Sequence, residues 1–193
     1  MESMERRVVL GSGHRVDGPG RKSPRFPPEK ETAVREALAR QLAEWGVGTG
    51  GTGDLAICGG ANGADILLAE ICRDRGAGVL LLLPFPPERF IQESVELPGT
   101  DWTARFRALA RDGRCEVRIQ EQSLGPLPPG DNPFERNNEW ILRTGLDEAR
   151  PGKPAALLVW DRKPGDGAGG TAGFHDAAVR LDLPVVVVDP STL

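Results

Sequence analysis

The residues of this chain best suited to chemistry are glycines and short polar side chains placed directly after apolar runs. Gly11, Ser12, Gly13, His14 and Arg15 follow one run, and Gly59, Gly60, Ala61, Asn62, Gly63, Ala64 and Asp65 follow another. Pro84 and Phe85 follow a third, while Asp161 and the glycines at 165, 167, 169 and 170, with Thr171, follow a fourth. Glycine lets a ligand approach backbone N–H groups closely, and a helix starting just beyond adds partial positive charge, so turns of this kind suit phosphate. Asp65 can accept a ribose hydroxyl or satisfy the first-turn N–H groups of its own helix. Segment 13–28 carries Arg15, Arg21, Lys22 and Arg25 against the single acid Asp17. It is long for a connection, hence either a functional loop or a mobile one. Arg15 is the preferred anion clamp, with a solvated loop as the alternative. His14 and His175 are the only histidines; the first is read as a hydrogen-bond donor and the second as a surface residue, and neither is assigned a catalytic role.

The elements that must position these groups follow from the apolar pattern. Runs at 7–10, 55–58, 78–83, 115–119, 155–160 and 184–188 are continuous more often than alternating, as expected of strands buried on both faces of a parallel sheet. Helical periodicity occupies 29–45, 64–75, 86–95, 101–111, 132–149 and 171–181. Alternation of strand and helix along the chain predicts an α/β fold, a three-layer, Rossmann-like, doubly wound and mainly parallel sheet of about six strands. The whole chain, 1–193, reads as one domain of this type. Right-handed crossovers then bring every strand's carboxyl end to one rim, where ligands of such sheets bind. Trp102, Phe106 and Leu109 have the spacing of a core face, as do Phe134, Trp140 and Ile141; Asn137 and Asn138 beside the latter are expected in solvent, unless they reach a base or a neighbouring subunit.

Two glycine patterns need separating. Gly48, Gly50 and Gly53 match GxGxxG but precede a strand, where the phosphate-binding mechanism of that motif cannot operate. Gly165, Gly167 and Gly170 follow a strand and precede a helix, with Asp189 at about the distance expected of a ribose-binding acid. For this second set nucleotide contact and a plain turn both remain open.

Composition excludes several classes. With 24 Lys and Arg against 28 Asp and Glu the formal charge is −4, so nothing draws the chain generically to nucleic acid or an anionic membrane. No apolar stretch approaches a membrane span or a secretory signal, which predicts a cytoplasmic protein. Cys58, Cys72 and Cys115 form no CxxC pair and are expected to be buried small hydrophobes, neither disulfides nor metal ligands.

The segments Leu10-Gly-Ser-Gly-His-Arg15, Ile57-Cys-Gly-Gly-Ala-Asn-Gly-Ala-Asp65, Leu83-Pro-Phe-Pro86 and Gly169-Gly-Thr171 resemble the SLOG superfamily, the Rossmann-like group that includes the Lonely-guy phosphoribohydrolases and the DNA-processing protein DprA. Within that group the likeness is to uncharacterised bacterial members expected to sense nucleotide-derived ligands. The resemblance implies that a nucleotide or nucleotide-sugar such as ADP-ribose binds at Gly11, Ser12, Gly13, Gly59, Gly60, Asn62, Gly63, Asp65, Gly169, Gly170 and Thr171. His14, Arg15, Pro84 and Asp161 complete the expected site from their places on the rim. The resemblance further implies a homo-oligomer and a role in bacterial signalling or defence, with an effector protein as a further partner. No cofactor beyond the ligand and no metal is expected. Lonely-guy enzymes carry PGGxGTxxE, whose glutamate assists N-glycosidic cleavage; here Ala172, Gly173, Phe174 and His175 follow Gly169-Gly170-Thr171, and the first carboxylate is Asp176. Recognition is therefore expected over turnover, with a nucleotide or nucleotide-sugar hydrolase as the alternative.

Overall fold

The structure, a computed structural model, describes residues 6–49, 53–165 and 169–193. Its centre is a six-stranded sheet, β1 (Val8–Gly13), β2 (Leu55–Cys58), β3 (Gly78–Leu83), β4 (Cys115–Ile119), β5 (Ala155–Val159) and β6 (Val185–Val188), in the order β4-β3-β2-β1-β5-β6. Every neighbouring pair is parallel. The helices are α1 (Glu31–Glu44), α2 (Ala64–Asp74), α3 (Pro87–Phe90), α4 (Trp102–Arg111), α5 (Gln120–Leu124), α6 (Pro133–Glu148) and α7 (Thr171–Arg180). This is the three-layer Rossmann-like α/β architecture that the alternating pattern predicts.

The two faces of each inner strand feed different cores, because successive side chains point to opposite sides of a sheet. Val9, Ala56, Cys58, Val79 and Leu81 pack with α1, α2 and α4, together with the fully buried Trp102, Phe106 and Leu109. Val8, Leu10, Ile57, Leu80 and Leu82 pack with Trp140, Ile141 and Leu142 of α6 and Phe174 and Ala178 of α7. Cys58 and Cys72 are buried and Cys115 is partly so; all three are free, and burial raises their thiol pKa values, those of Cys72 and Cys115 to about 12. Among the described residues no helix is long and apolar enough to cross a membrane.

Several boundaries differ from the sequence pattern for physical reasons. The first strand runs three residues past Leu10, through Gly11, Ser12 and Gly13, which pair with Leu157, Leu158 and Val159 of β5. A side chain at Gly11 would stand 2.3 Å from Leu68 Cδ2, and one at Gly13 would stand 2.5 Å from Ala64 Cβ. These glycines let α2 lie directly on β1, since Ala64 and Leu68 are one helical turn apart. Segment 86–95 is not one helix: α3 passes into a π-helical turn, Ile91–Val95. A 3₁₀ turn, Pro28–Lys30, precedes α1, and the five-residue α5 is too short to show a period.

Candidate functional site

The chain direction along the sheet reverses between β1 and β5: β2, β3 and β4 extend one way from β1, and β5 and β6 the other. Ligand clefts of open α/β sheets form outside the carboxyl ends of strands at such a reversal. Here a cleft of about 630 Å³ opens at that point, a volume suited to a nucleotide-sized molecule. Gly11, Ser12, Gly13, His14, Arg15, Gly59, Asp65, Pro84, Gly169, Gly170 and Thr171 line it. Gly60, Asn62, Gly63 and Asp161 do not; they stand behind it and support those that do.

Asn62 is 3% exposed and its polar groups are engaged: Oδ1 accepts from the Val16 amide at 3.0 Å, and Nδ2 donates to the Val95 carbonyl at 3.0 Å. Its own N–H donates to the Ser94 carbonyl. Gly63, at φ +84°, passes so close to the 14–16 backbone that a Cβ would stand 2.7 Å from the His14 carbonyl oxygen. The Ala64 amide, at the start of α2, donates to that same carbonyl. Asp65 does not cap α2. Its Oδ2 turns back to accept from the Ala61 N–H at 3.2 Å, while Oδ1 is sealed from solvent without a partner. Burial raises the Asp65 carboxyl to about 7, although the amides of Ala61, Gly59 and Gly60 favour its charged form. The 59–63 turn thus directs N–H groups at the Asp65 carboxylate and, from Asn62, at the Ser94 carbonyl.

The opposite wall is built differently. At α6, Asn132 caps the helix, its side chain accepting from the Phe134 and Glu135 amides. At α7 the N-cap is Gly170, which has no side chain to offer. Gly169, at φ +79°, brings this turn against α6, where a Cβ would stand 2.6 Å from Phe134 Cβ. Asn138 Nδ2 holds the Gly169 carbonyl at 2.8 Å. Asn137, expected in solvent, is instead 4% exposed and bridges the Leu82 carbonyl and Gln120. Phe134, Ile141 and Trp160 supply apolar surface to the cleft.

Segment 13–28 is a pinned loop. Asp17 Oδ2 accepts from the Arg25 and Phe26 amides, and the Asp17 N–H donates to the Phe26 carbonyl. Phe26 is fully buried beneath it, fixing a compact Ω-type loop. This loop brings Arg15, Arg21 and Arg25 to the cleft. Arg15 donates to the Glu93 carbonyl, Arg21 lies 3.2 Å from Asp17, and Arg25 reaches across to the Pro164 carbonyl at 2.6 Å.

His14 Nε2 lies 2.8 Å from Asp161 Oδ1, with both side chains buried. Burial lowers the His14 pKa below 6.5 despite the carboxylate. Burial alone would raise Asp161, but the His14 bond and the Lys163 amide outweigh it and hold that carboxyl below its usual range. His175 stacks on Trp160 at 5.0 Å and is only partly exposed. Asp189 accepts from the Ser191 amide and hydroxyl, capping the terminal 3₁₀ turn. Gly50 and Gly167 lie outside the described residues. No group of His, Cys, Asp and Glu among the described residues is arranged to hold a metal ion.

No family model matches the chain, and no curated protein matches it in sequence. Solved structures similar to it include TM1055, a structural-genomics target, at 22% identity and TM-score 0.46 over 93% of this chain and 72% of that one. DNA processing protein A from Streptococcus pneumoniae is similar at 11% identity and TM-score 0.39, covering 95% of this chain and 59% of its own. Moco carrier protein from Chlamydomonas reinhardtii is similar at 15% identity and TM-score 0.32, over 97% and 92%. These likenesses concern the fold alone. What the cleft binds has to be argued from its own groups.

Proposed function

We propose that the cleft binds a nucleotide-derived ligand, with phosphates seated on the N-terminus of α7. One observation carries this reading: among the described residues no side chain caps the ten-residue helix that opens at Gly170 onto the cleft, which Arg15, Arg21 and Arg25 also line. The first-turn amides of α7 have no intrahelical acceptor, and a phosphate supplies both the missing oxygens and the charge the helix dipole favours. Phe134, Ile141 and Trp160 offer the apolar surface a base needs. The 59–63 turn plays a supporting part, since its Ala61 and Asn62 amides are already engaged by Asp65 and the Ser94 carbonyl.

The sensing role follows as a proposal from the same site. Occupancy would draw Arg15 and Arg25 from backbone carbonyls to phosphate, and so favour one state of the Ω loop over another. Homo-oligomerisation and an effector protein are the partners such a switch would act on. Titration calorimetry with ADP-ribose, AMP and adenosine tests the binding claim. The phosphorylated compounds are expected to bind at least about tenfold more tightly than adenosine, with affinity falling as salt rises. Equal affinity for adenosine would remove the phosphate seat. Light scattering with and without ADP-ribose checks for a change of oligomeric state.

A further inference from the structure

His14 and Asp161 are 147 positions apart and meet only because β1 and β5 are neighbours. Two acceptors cannot sit 2.8 Å apart without repulsion, so Nε2 carries the proton and donates to Asp161 Oδ1. The Asp161 N–H also points at this nitrogen, at 3.3 Å, and is the longer and weaker contact beside the charged carboxylate. That tautomer leaves a lone pair on Nδ1. Among the described residues nothing hydrogen-bonds to Nδ1, and it is not one of the buried polar atoms sealed from solvent without a partner. His14 itself lines the cleft. A buried carboxylate that fixes the tautomer of an imidazole whose other nitrogen is open is the arrangement of a general base.

We propose that the protein hydrolyses the phosphoanhydride bond of a nucleoside-diphosphate-type ligand, with His14 as general base and Asp161 as its positioning residue. This rests on the phosphate-binding reading of the cleft. A water oxygen attacks one phosphorus while its proton passes to His14 Nδ1; the bridging P–O bond breaks, and its electron pair leaves with the second phosphate. The amides of α7 and the Arg25 guanidinium offset charge on the phosphoryl oxygens. His14 then returns the proton to solvent. The leaving phosphate departs as an anion and needs no acid. An N-glycosidic leaving group would need one; of the carboxyls lining the cleft, Asp65 has one oxygen on the Ala61 amide and the other sealed, Asp17 is held by the Arg25 and Phe26 amides, and Glu93 is paired with Arg89.

The experiment pairs titration of ADP-ribose with phosphorus NMR of its products in water enriched in heavy oxygen. Expected are AMP and ribose 5-phosphate, the heavy oxygen appearing in a phosphate. Asp161→Asn, which would donate to Nε2 and move the proton to Nδ1, and His14→Gln are expected to slow turnover by about 100-fold or more. The circular dichroism of both should stay near wild type, as should the ADP-ribose affinity of Asp161→Asn, whose side chain stands behind the cleft. Asp161, Asp17, Arg25 and, through Asp161, Lys163 set the charge around His14. Since His14 must be neutral to act, kcat/KM is expected to fall only as pH drops below 6.5. ADP-ribose bound but left intact would overturn the hydrolysis and leave the receptor reading standing. Turnover indifferent to both variants, or heavy oxygen on ribose carbon, would also overturn it, and absence of binding would remove both readings.

Discussion

Two glycine-rich corners of the cleft look alike as sequence and differ as chemistry. At the β1–α2 corner, glycines at 11 and 13 admit a helix pressed onto the sheet, and the 59–63 turn engages its amides with Asp65, Ser94 and their surroundings. At the α6–α7 corner, glycines at 169 and 170 shape a turn that leaves the helix start without a side-chain cap. Glycine density therefore marks close approach of backbone, and what approaches decides the function. Where the neighbour is protein the corner is closed; where it is the cleft the corner can receive a ligand.

The contrast can be broken most severely at the closed corner. Gly13→Val places atoms where Ala64 Cβ and the Val159 carbonyl already stand, at 2.5 and 2.7 Å from the first added carbon. A loss of about 3 kcal/mol or more is expected in urea unfolding, the upper end of overpacking effects. Wild-type-like stability would refute the close packing of α2 on β1.

Asp65 sharpens the comparison through pH. Its folded-state pKa, about 7, lies above the ordinary aspartate value of 3.8. The folded state therefore binds more protons between those values, and stability falls as pH rises through that window. Asp65→Asn removes this dependence while keeping an acceptor for the Ala61 amide. The variant is expected to exceed wild type by a few kcal/mol at about pH 8 and to match it near pH 4, by denaturant melts at each pH. His14, with its lowered pKa, contributes the opposite slope below 6.5 in both proteins, so the difference between them isolates Asp65. Parallel pH profiles would show that Asp65 is solvated.

Asn62→Ala strips partners from the Val16 amide and the Val95 carbonyl. A cost of about 2 kcal/mol is expected, the ordinary penalty for buried polar groups left unmet, with faster hydrogen exchange at Val16. At the open corner the sign reverses. Gly173 lies in α7 with nothing within 4 Å of where a Cβ would be, and Gly173→Ala is expected to raise stability by about 0.5–1 kcal/mol in thermal melts.

The sheet was legible because the buried strands wrote themselves as apolar runs at 55–58 and 78–83, matching β2 and β3 residue for residue, and the half-exposed edge strand β4 as an alternating run at 115–119. The first run misled because Leu10 ends the apolar pattern while β1 continues through Gly11, Ser12 and Gly13, the two glycines there for want of room for a side chain. Asn137 was obscure for the opposite reason: a polar residue on a helix reads as exposed unless its acceptor, here the Leu82 carbonyl at the end of β3, is known. His14 and Asp161 could each be singled out as residues on the rim. Their pairing could not, because the order in which strands sit side by side is not written locally. The same holds for Arg25, carried to the cleft by a loop that Asp17 folds.

The central claim is that an open helix start holds the ligand's phosphate, and the most direct measurement supplies that helix with an anion of its own. Gly170 is extended, with φ −77° and ψ 177°, a conformation that aspartate adopts readily as an N-cap. Gly170→Asp is expected to fold with unchanged or slightly higher stability and to lose at least about tenfold in affinity for ADP-ribose by calorimetry, as its carboxylate takes the phosphate's place. Undiminished binding of ADP-ribose by the folded variant would contradict the account.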